Sequence, residues 1–435
     1  MTVADTVDDS GAVRGPRERA IPGVIVVFSG VTPVLRALSL KHGKLVVGRE
    51  EGGLPDDERL SRRHAEIEWD GRKWIIRDLG SRNGTNVDGE RVEGTINVES
   101  PRVIRVGRTL MLPREDIRLF MGEQVVIEDE LVIGPISRRV HMRIAQIASA
   151  DENLLITGET GSGKEHAART FHARRNTRGP LITVNCATIP EGVAERLLFG
   201  AKKGAYSGAE NAEGYVAAAH EGVLFLDEIG ELELDVQAKL LRFLETREVT
   251  PLGATQSRKI DVRFCFATHR DLRAAASAGT FREDLFHRIG QPHVHLPPLR
   301  ERREEIPWMI ARSVARVSPT LGLHVSFVES CLHRAWSGNV RELLQHARAA
   351  AHTAVAAGEA ALSHAHLDPT AGIGLDDRRP SDGDQDPNRI SRESIERALQ
   401  TESGNIAAAA RGLGLHRTQL YRLLKRFGIV PPREE

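Results

Sequence analysis

Residues Leu154 to Lys164 read Leu-Leu-Ile-Thr-Gly-Glu-Thr-Gly-Ser-Gly-Lys. An apolar strand runs into a glycine loop, and a lysine opens the next helix. Such a layout wraps a phosphate chain, because backbone N–H groups point inward and the helix N-terminus adds positive potential. Gly158, Gly163 and Lys164 fit the G-x-x-x-x-G-K pattern, with Glu159, Thr160, Gly161 and Ser162 between them; Glu165 follows where Ser or Thr completes the pattern. Further on, Leu226-Asp227-Glu228 closes an apolar run. An acid at the carboxyl end of a strand beside a phosphate loop is placed to hold Mg²⁺, directly or through water, and a second acid to position the attacking water. Asp227 takes the first role and Glu228 the second. Glu165 cannot act as the usual hydroxyl ligand, so the metal shell leans on Asp227 and water.

Two other clusters carry chemistry. Gly48-Arg49, Ser61-Arg62-Arg63-His64 and Ser81-Arg82-Asn83-Gly84-Thr85 gather guanidinium, hydroxyl and amide groups. That set suits a phosphate ester on a peptide: arginine gives bidentate charge-assisted bonds, while Ser and Asn add donors. Near the far end, a glycine turn at Gly412-Leu-Gly414 precedes Thr418-Gln-Leu-Tyr-Arg-Leu-Leu-Lys-Arg-Phe427, an amphipathic helix with Leu420, Leu423 and Leu424 inward. From Arg411 to Arg426 every charged side chain is basic. A helix, a turn and a basic second helix form a helix-turn-helix layout, the second helix entering the major groove. Arg417, Thr418, Gln419, Tyr421 and Arg422 are candidates for bases and phosphates, Lys425 and Arg426 for phosphates alone.

The elements that must position these groups divide the chain. At 435 residues it should hold two to four domains. Lys plus Arg (60) equals Asp plus Glu (60), so a basic patch must be local. Three cysteines lie far apart without metal-type spacing, which suits a reducing compartment. With no apolar run near the roughly twenty residues of a membrane span and no signal-peptide pattern, the expectation is a soluble cytoplasmic protein without membrane partners. Residues 1–21 read as a loose tail. Between 22 and 121, Ala65, Ile67 and Trp69 alternate with Glu66 and Glu68, Trp74–Ile76 and Val103–Val106 are further strands, and Asp70-Gly71, Asn83-Gly84 and Asp88-Gly89 mark turns; this spacing predicts an all-β sandwich. From 124 to 300, continuous apolar strands at Leu154–Thr157, Leu181–Val184, Val223–Leu226 and Val262–Ala267 alternate with helices, the pattern of a three-layer α/β domain with a largely parallel sheet. Beyond Arg300 the strands stop. Helices predicted over Ile306–Val317, Val328–Ala335 and Val340–Ala356 form an α-helical lid over 301–367. Residues 368–390, with three prolines and three glycines from Asp368 to Asn388, read as a flexible tether, and 391–435 as a small all-α domain.

Three resemblances sharpen this multidomain reading. The Gly-Arg, Ser-x-x-His and Asn-Gly signatures resemble the forkhead-associated (FHA) domain, which implies phosphothreonine-peptide binding by Arg49, Ser61, Arg62, Ser81, Arg82 and Asn83, and a bracing role for His64. Gly158–Glu165, Val223–Leu232, Gly204-Ala-Tyr-Ser-Gly-Ala209, Phe281–Leu285, Leu296–Arg302 and Trp336–Leu343 resemble the AAA+ P-loop NTPase module of bacterial enhancer-binding proteins, the NtrC-like activators of sigma-54 RNA polymerase; Glu165 is usual there. The resemblance implies ATP and Mg²⁺ as cofactors, ATP hydrolysis, and a homo-oligomer from dimer to hexamer ring with ATP at subunit boundaries. It also implies that Arg282 and Arg288 reach a neighbour's nucleotide, that Arg341 senses γ-phosphate, and that Asn185 restrains the catalytic acid until ATP is bound. Thr268 stands at the first sensor, followed by His269 where Asn is commoner, and Ile133-Gly134 match an adenine-side contact. Gly204, Ala205, Tyr206, Ser207, Gly208 and Ala209 match the loop that touches sigma-54. Tyr206 and Ser207 replace Phe and Thr, and Val216-Ala217 replaces an aromatic–Glu pair. The last segment resembles the Fis-type DNA-binding domain.

Together these imply an ATP-dependent transcriptional activator. It binds enhancer-like DNA, assembles a ring and remodels the closed complex of sigma-54 RNA polymerase holoenzyme. FHA recognition of a phosphothreonine, on a partner protein or on its own chain, gates it. Two alternatives stand beside it: an ATP-regulated DNA-binding regulator that does not engage sigma-54, and a phosphopeptide scaffold on DNA.

Overall fold

The computed structural model describes residues 20–50, 57–128, 131–175, 177–205 and 210–373, together with positions 395, 399 and 424. The chain forms two compact units, Met1–Gly372 and Ile373–Glu435. In the second, Ile395, Leu399 and Leu424 are helical and buried.

The N-terminal part of the first unit is a sandwich of two antiparallel sheets. One has six strands in the order Thr32–Ser39, Gly23–Ser29, Thr109–Arg114, Ile104–Val106, Thr85–Val87, Glu90–Arg91; the other runs Lys44–Val47, Ala65–Trp69, Trp74–Asp78, Thr95–Val98. The expected alternation appears in Ala65 and Ile67, both fully buried, and Trp69 packs on Trp74 at 4.9 Å between rings. Strand Gly23–Ser29 breaks the pattern: all of its residues are buried. Val24 and Val26 point into the sandwich, while Ile25, Val27 and Phe28 join a different core. A strand covered on both faces reads as a continuous apolar run.

The α/β part carries a five-stranded parallel sheet in the order Leu181–Asn185, Val223–Asp227, Arg263–Thr268, Leu154–Thr157, His293–His295. Separate apolar cores cover its two faces. The four predicted strands are present, each within a residue at its ends.

Lid helices run Ile306–Val317, Val325–His333 and Asn339–Ala356. The second starts three residues earlier than the sequence pattern, because the His324 side chain caps it by accepting from the Ser326 N–H. Strands do not stop at Arg300 as expected: Gly322–Leu323 pairs in parallel with Ala361–Leu362, pinning the loop ahead of the second helix. Residues 368–372, expected as the start of the tether, are packed instead. Ala371 is buried, Gly372 N–H donates to Glu342 Oε1 at 3.0 Å, and a Cβ on Gly372 would lie 2.8 Å from the Trp336 ring. Arg334 further binds the Asp368 and Ala371 carbonyls.

The sandwich and the lid share one core. Ile25, Val27, Phe28, Leu110, Leu112 and Phe120 pack in a single cluster with Ile306, Ile310, Val314, Phe327 and Leu332 of the lid. Arg105 and Glu329 close its edge at 3.0 Å.

Candidate functional site

A cavity of about 510 Å³ opens between the α/β sheet and the lid. Its floor is the glycine loop. Gly161 has φ +75°, and a Cβ there would stand 2.2 Å from the Gly338 carbonyl oxygen, so both conformation and space require glycine. Lys164 begins helix Lys164–Arg175 and is buried. A buried ammonium must be paired, and its Nζ donates to the Gly158 carbonyl (3.1 Å) and meets Glu228 Oε1 at 3.2 Å. Thr160, Gly161, Ser162, Gly163, Lys164 and Glu165 line the cavity, as do Asn185, Asp227 and Glu228.

The lid forms the roof with Met309, Arg312, Ser313, Arg316, Arg341 and Arg348, and polar bonds hold it to the loop. Arg300 forks onto Glu159 at 2.7 and 2.9 Å. Arg302 Nη2 donates to the Ser162 carbonyl at 2.6 Å. Asn339 Nδ2 reaches Glu159 and the Thr160 carbonyl, and its Oδ1 accepts from Leu299. Arg302 and Asn339, unassigned from the sequence, are these clamps. The signal was present in the Leu296–Arg302 and Trp336–Leu343 motifs, but a motif does not say which member touches the loop.

The acidic pair lies where strand Val223–Asp227 ends. Burial, with the charge of Glu228 beside it, raises the Asp227 carboxyl above its ordinary range. Two adjacent half-buried carboxylates are a site that a cation would stabilise, so Asp227 fits as a residue that would hold Mg²⁺. Glu228 has left-handed backbone, φ 53° and ψ 51°. Burial pushes its carboxyl up, but bonds from His269 and Lys164 outweigh that and hold it below the usual range.

Several sequence assignments sit elsewhere than expected. Asn185 lies opposite Asp227 in register, yet its amide oxygen accepts from the Ala187 N–H at 3.0 Å; among the described residues, His269 rather than Asn185 bonds Glu228. Thr268 is fully buried and accepts from the Arg270 N–H, outside the cavity lining. Leu131 and Val132 line the cavity in place of Ile133 and Gly134, because Gly134 spends its N–H on Glu305 Oε1 at 2.8 Å and packs against that side chain. Arg282 pairs with Asp284 and Arg288 donates to the Leu244 carbonyl; neither lines this chain's own cavity. Gly204, with φ +89°, and Ala205 are described, whereas Tyr206, Ser207, Gly208 and Ala209 lie outside the described residues. The same holds for Arg417, Thr418, Gln419, Tyr421, Arg422, Lys425 and Arg426.

On the sandwich, the phosphate-reading candidates converge on one set of loops. Gly48 fits because a Cβ would stand 2.1 Å from the Arg62 carbonyl oxygen. His64 is fully buried: Nδ1 accepts from the Ser61 N–H at 3.2 Å and Nε2 donates to the Gly84 carbonyl at 3.1 Å. It braces two loops at once. Arg49, Arg62, Arg82 and Asn83 are exposed, and Ser61 Oγ accepts from the Arg82 N–H. Ser81 departs from its assignment. Its hydroxyl donates to Asp78 at 2.7 Å and accepts from the Gly84 N–H at 2.9 Å, so it shapes the loop and has no donor left for a ligand.

Comparisons with known proteins follow the same division. Residues 45–113 match the FHA domain family, 134–295 the Sigma-54 interaction domain family, and 388–427 the Bacterial regulatory protein, Fis family. The chain is 34% identical over 346 residues to the C4-dicarboxylate transport transcriptional regulatory protein DctD of Rhizobium meliloti, covering 76% of this chain and 71% of that one. It is 38% identical over 303 residues to the transcriptional regulatory protein ZraR of Klebsiella oxytoca, covering 67% and 68%, and 39% identical over 320 residues to the regulatory protein LuxO of Vibrio cholerae, covering 66% and 59%. The match to LuxO thus spans less than two thirds of that protein. Among solved structures, NtrX from Brucella abortus in complex with ATP superposes with a TM-score of 0.51 at 28% identity, covering 70% of this chain and 69% of that one.

Proposed function

Because the chain belongs to the sigma-54-dependent transcriptional regulators, we propose that it binds an enhancer-like DNA site, hydrolyses ATP in a ring of its own copies and remodels the closed complex of sigma-54 RNA polymerase. The central domain is an ATPase module of that family. One observation carries the reading: the glycine loop, the Asp227–Glu228 pair and Arg341 meet in a single cavity.

Each residue then has a task. Loop N–H groups and Lys164 hold the phosphate chain, and Glu228 takes the proton of the attacking water. Arg341, reaching from the lid, stabilises charge on the γ-phosphate. Asp227 would hold Mg²⁺, which would supply charge neutralisation at the phosphate chain. Arg282 and Arg288 lie away from their own cavity, which supports their service to a neighbour's nucleotide; a guanidinium given in trans is worth roughly a thousandfold or more. Tyr206 and Ser207 press on sigma-54, and the Fis-type segment holds the DNA.

The FHA module is the gate. Helix Ile306–Val317 supports this, because Ile306, Ile310 and Val314 pack in the core shared with the sandwich while Arg312, Ser313 and Arg316 face the nucleotide cavity. The sandwich that carries the peptide loops and the nucleotide cavity thus border two sides of one helix. By reciprocity, whatever a phosphothreonine peptide does to ATP affinity, ATP does to peptide affinity.

The test uses purified protein, ATP, sigma-54 holoenzyme and a mismatched promoter, followed for isomerisation with and without a phosphothreonine peptide. Wild type opens the promoter. Ser207→Ala keeps its ATPase rate and loses promoter opening. Opening retained by Ser207→Ala removes the loop assignment. Peptide binding that leaves both opening and ATP affinity unchanged removes the gate.

A further inference from the structure

Glu228 is restrained at both carboxylate oxygens. Oε1 meets Lys164 Nζ at 3.2 Å. Oε2 accepts from His269 Nδ1 at 2.7 Å and from the His269 backbone N–H at 3.2 Å. Bonding through Nδ1 to a carboxylate requires that nitrogen to carry the proton. A carboxylate engaged in this way cannot turn freely to take a proton from water, and its left-handed backbone fixes the base of the side chain as well.

We propose that His269 is the positioning residue that holds the Glu228 carboxylate out of action until nucleotide and neighbour are in place. The family resemblance gives that restraint to Asn185, whose amide oxygen here is bound to the Ala187 N–H. His269 also differs in where its ring lies. It is 44% exposed and lines a second cavity, of about 610 Å³, beside Thr157, Arg270, Arg273, His293 and His295. The imidazole therefore stands between the water-activating acid and a separate space behind the glycine loop. A short Asn could bond Glu228 but would not present a ring to the second cavity. The proposal deepens the reading of Glu228 as the water-activating acid and rests on it.

The experiment measures phosphate release by the full-length protein across ATP concentrations, with wild type and Lys164→Ala run alongside. His269→Ala removes the ring restraint, and basal kcat rises roughly tenfold, the scale of one hydrogen bond to a charged group, while KM for ATP stays within about twofold. His269→Asn retains a side-chain N–H donor and returns kcat to within about twofold of wild type. A kcat for His269→Ala equal to or below that of wild type overturns the proposal, as does failure of Asn to restore it. Should the alanine variant not fold, His269→Gln against His269→Leu makes the same donor comparison, and equal rates for the two overturn the proposal. Absence of ATPase activity in wild type itself would instead sink the reading of the whole site.

Discussion

Glu228→Gln is expected to slow ATP turnover by about 10²- to 10⁴-fold, the usual contribution of a positioned general base, while ATP binding stays near wild type. The amide keeps the size of the carboxylate and can leave its one oxygen on Lys164, so the buried lysine is not left unpaired, while its NH2 replaces the oxygen that His269 bonds. It cannot accept the water proton. Lys164→Ala acts differently, by removing the cation that ties the glycine loop to Glu228 at 3.1 and 3.2 Å. In that variant both binding and turnover should fall. Phosphate-release kinetics together with calorimetric ATP binding separate the two. Turnover of Glu228→Gln within a few-fold of wild type would show that the proton goes elsewhere.

Removing residues 1–121 is expected to unfold the lid rather than release an independent ATPase. Ile25, Val27, Phe28, Val103, Leu110, Leu112, Ile117 and Phe120 all lie in the core that contains the lid helices. At about 1.5–3 kcal/mol per buried large side chain, their loss is on the order of 10 kcal/mol or more, as large as the net stability of a typical domain. The shortened chain should be aggregated, or should lose the helical melting transition of the lid. Phe28→Ala is the milder form, with an expected cost of about 3–5 kcal/mol. Tryptophan fluorescence reads both sides, because Trp69 and Trp74 report the sandwich and Trp308 and Trp336 the lid. The intact protein should show one shared transition for the four. A chain starting at 122 that stays soluble, melts as wild type and hydrolyses ATP would disprove the shared core.

That core was hidden from the sequence for a physical reason. Alternation in Ala65-Glu-Ile-Glu-Trp69 declares one wet face and one dry one. The run Gly23-Val-Ile-Val-Val-Phe-Ser29 declares two dry faces, without saying what covers the second. The sandwich and the lid helices were each legible by periodicity, but their contact joins segments as distant in sequence as Arg105 and Glu329, 224 positions apart, and leaves no local pattern. Separate domains were therefore the natural expectation, and the structure joins them.

At the site the division is similar. Residue type and spacing marked the glycine loop, the strand ending in Asp227-Glu228 and the Gly48 and His64 loop positions, although the partners that require them lie farther off, Gly338 for Gly161, Arg62 for Gly48 and Gly84 for His64. Tertiary structure alone decided which side chains are engaged. Ser81 spends its hydroxyl on Asp78, Gly134 gives its N–H to Glu305, and Asn185 turns to Ala187 while His269 takes Glu228. A residue's type fixes what it can donate or accept. Whether that capacity is already used depends on partners brought near by folding, as Glu305 is to Gly134 across 171 positions of sequence.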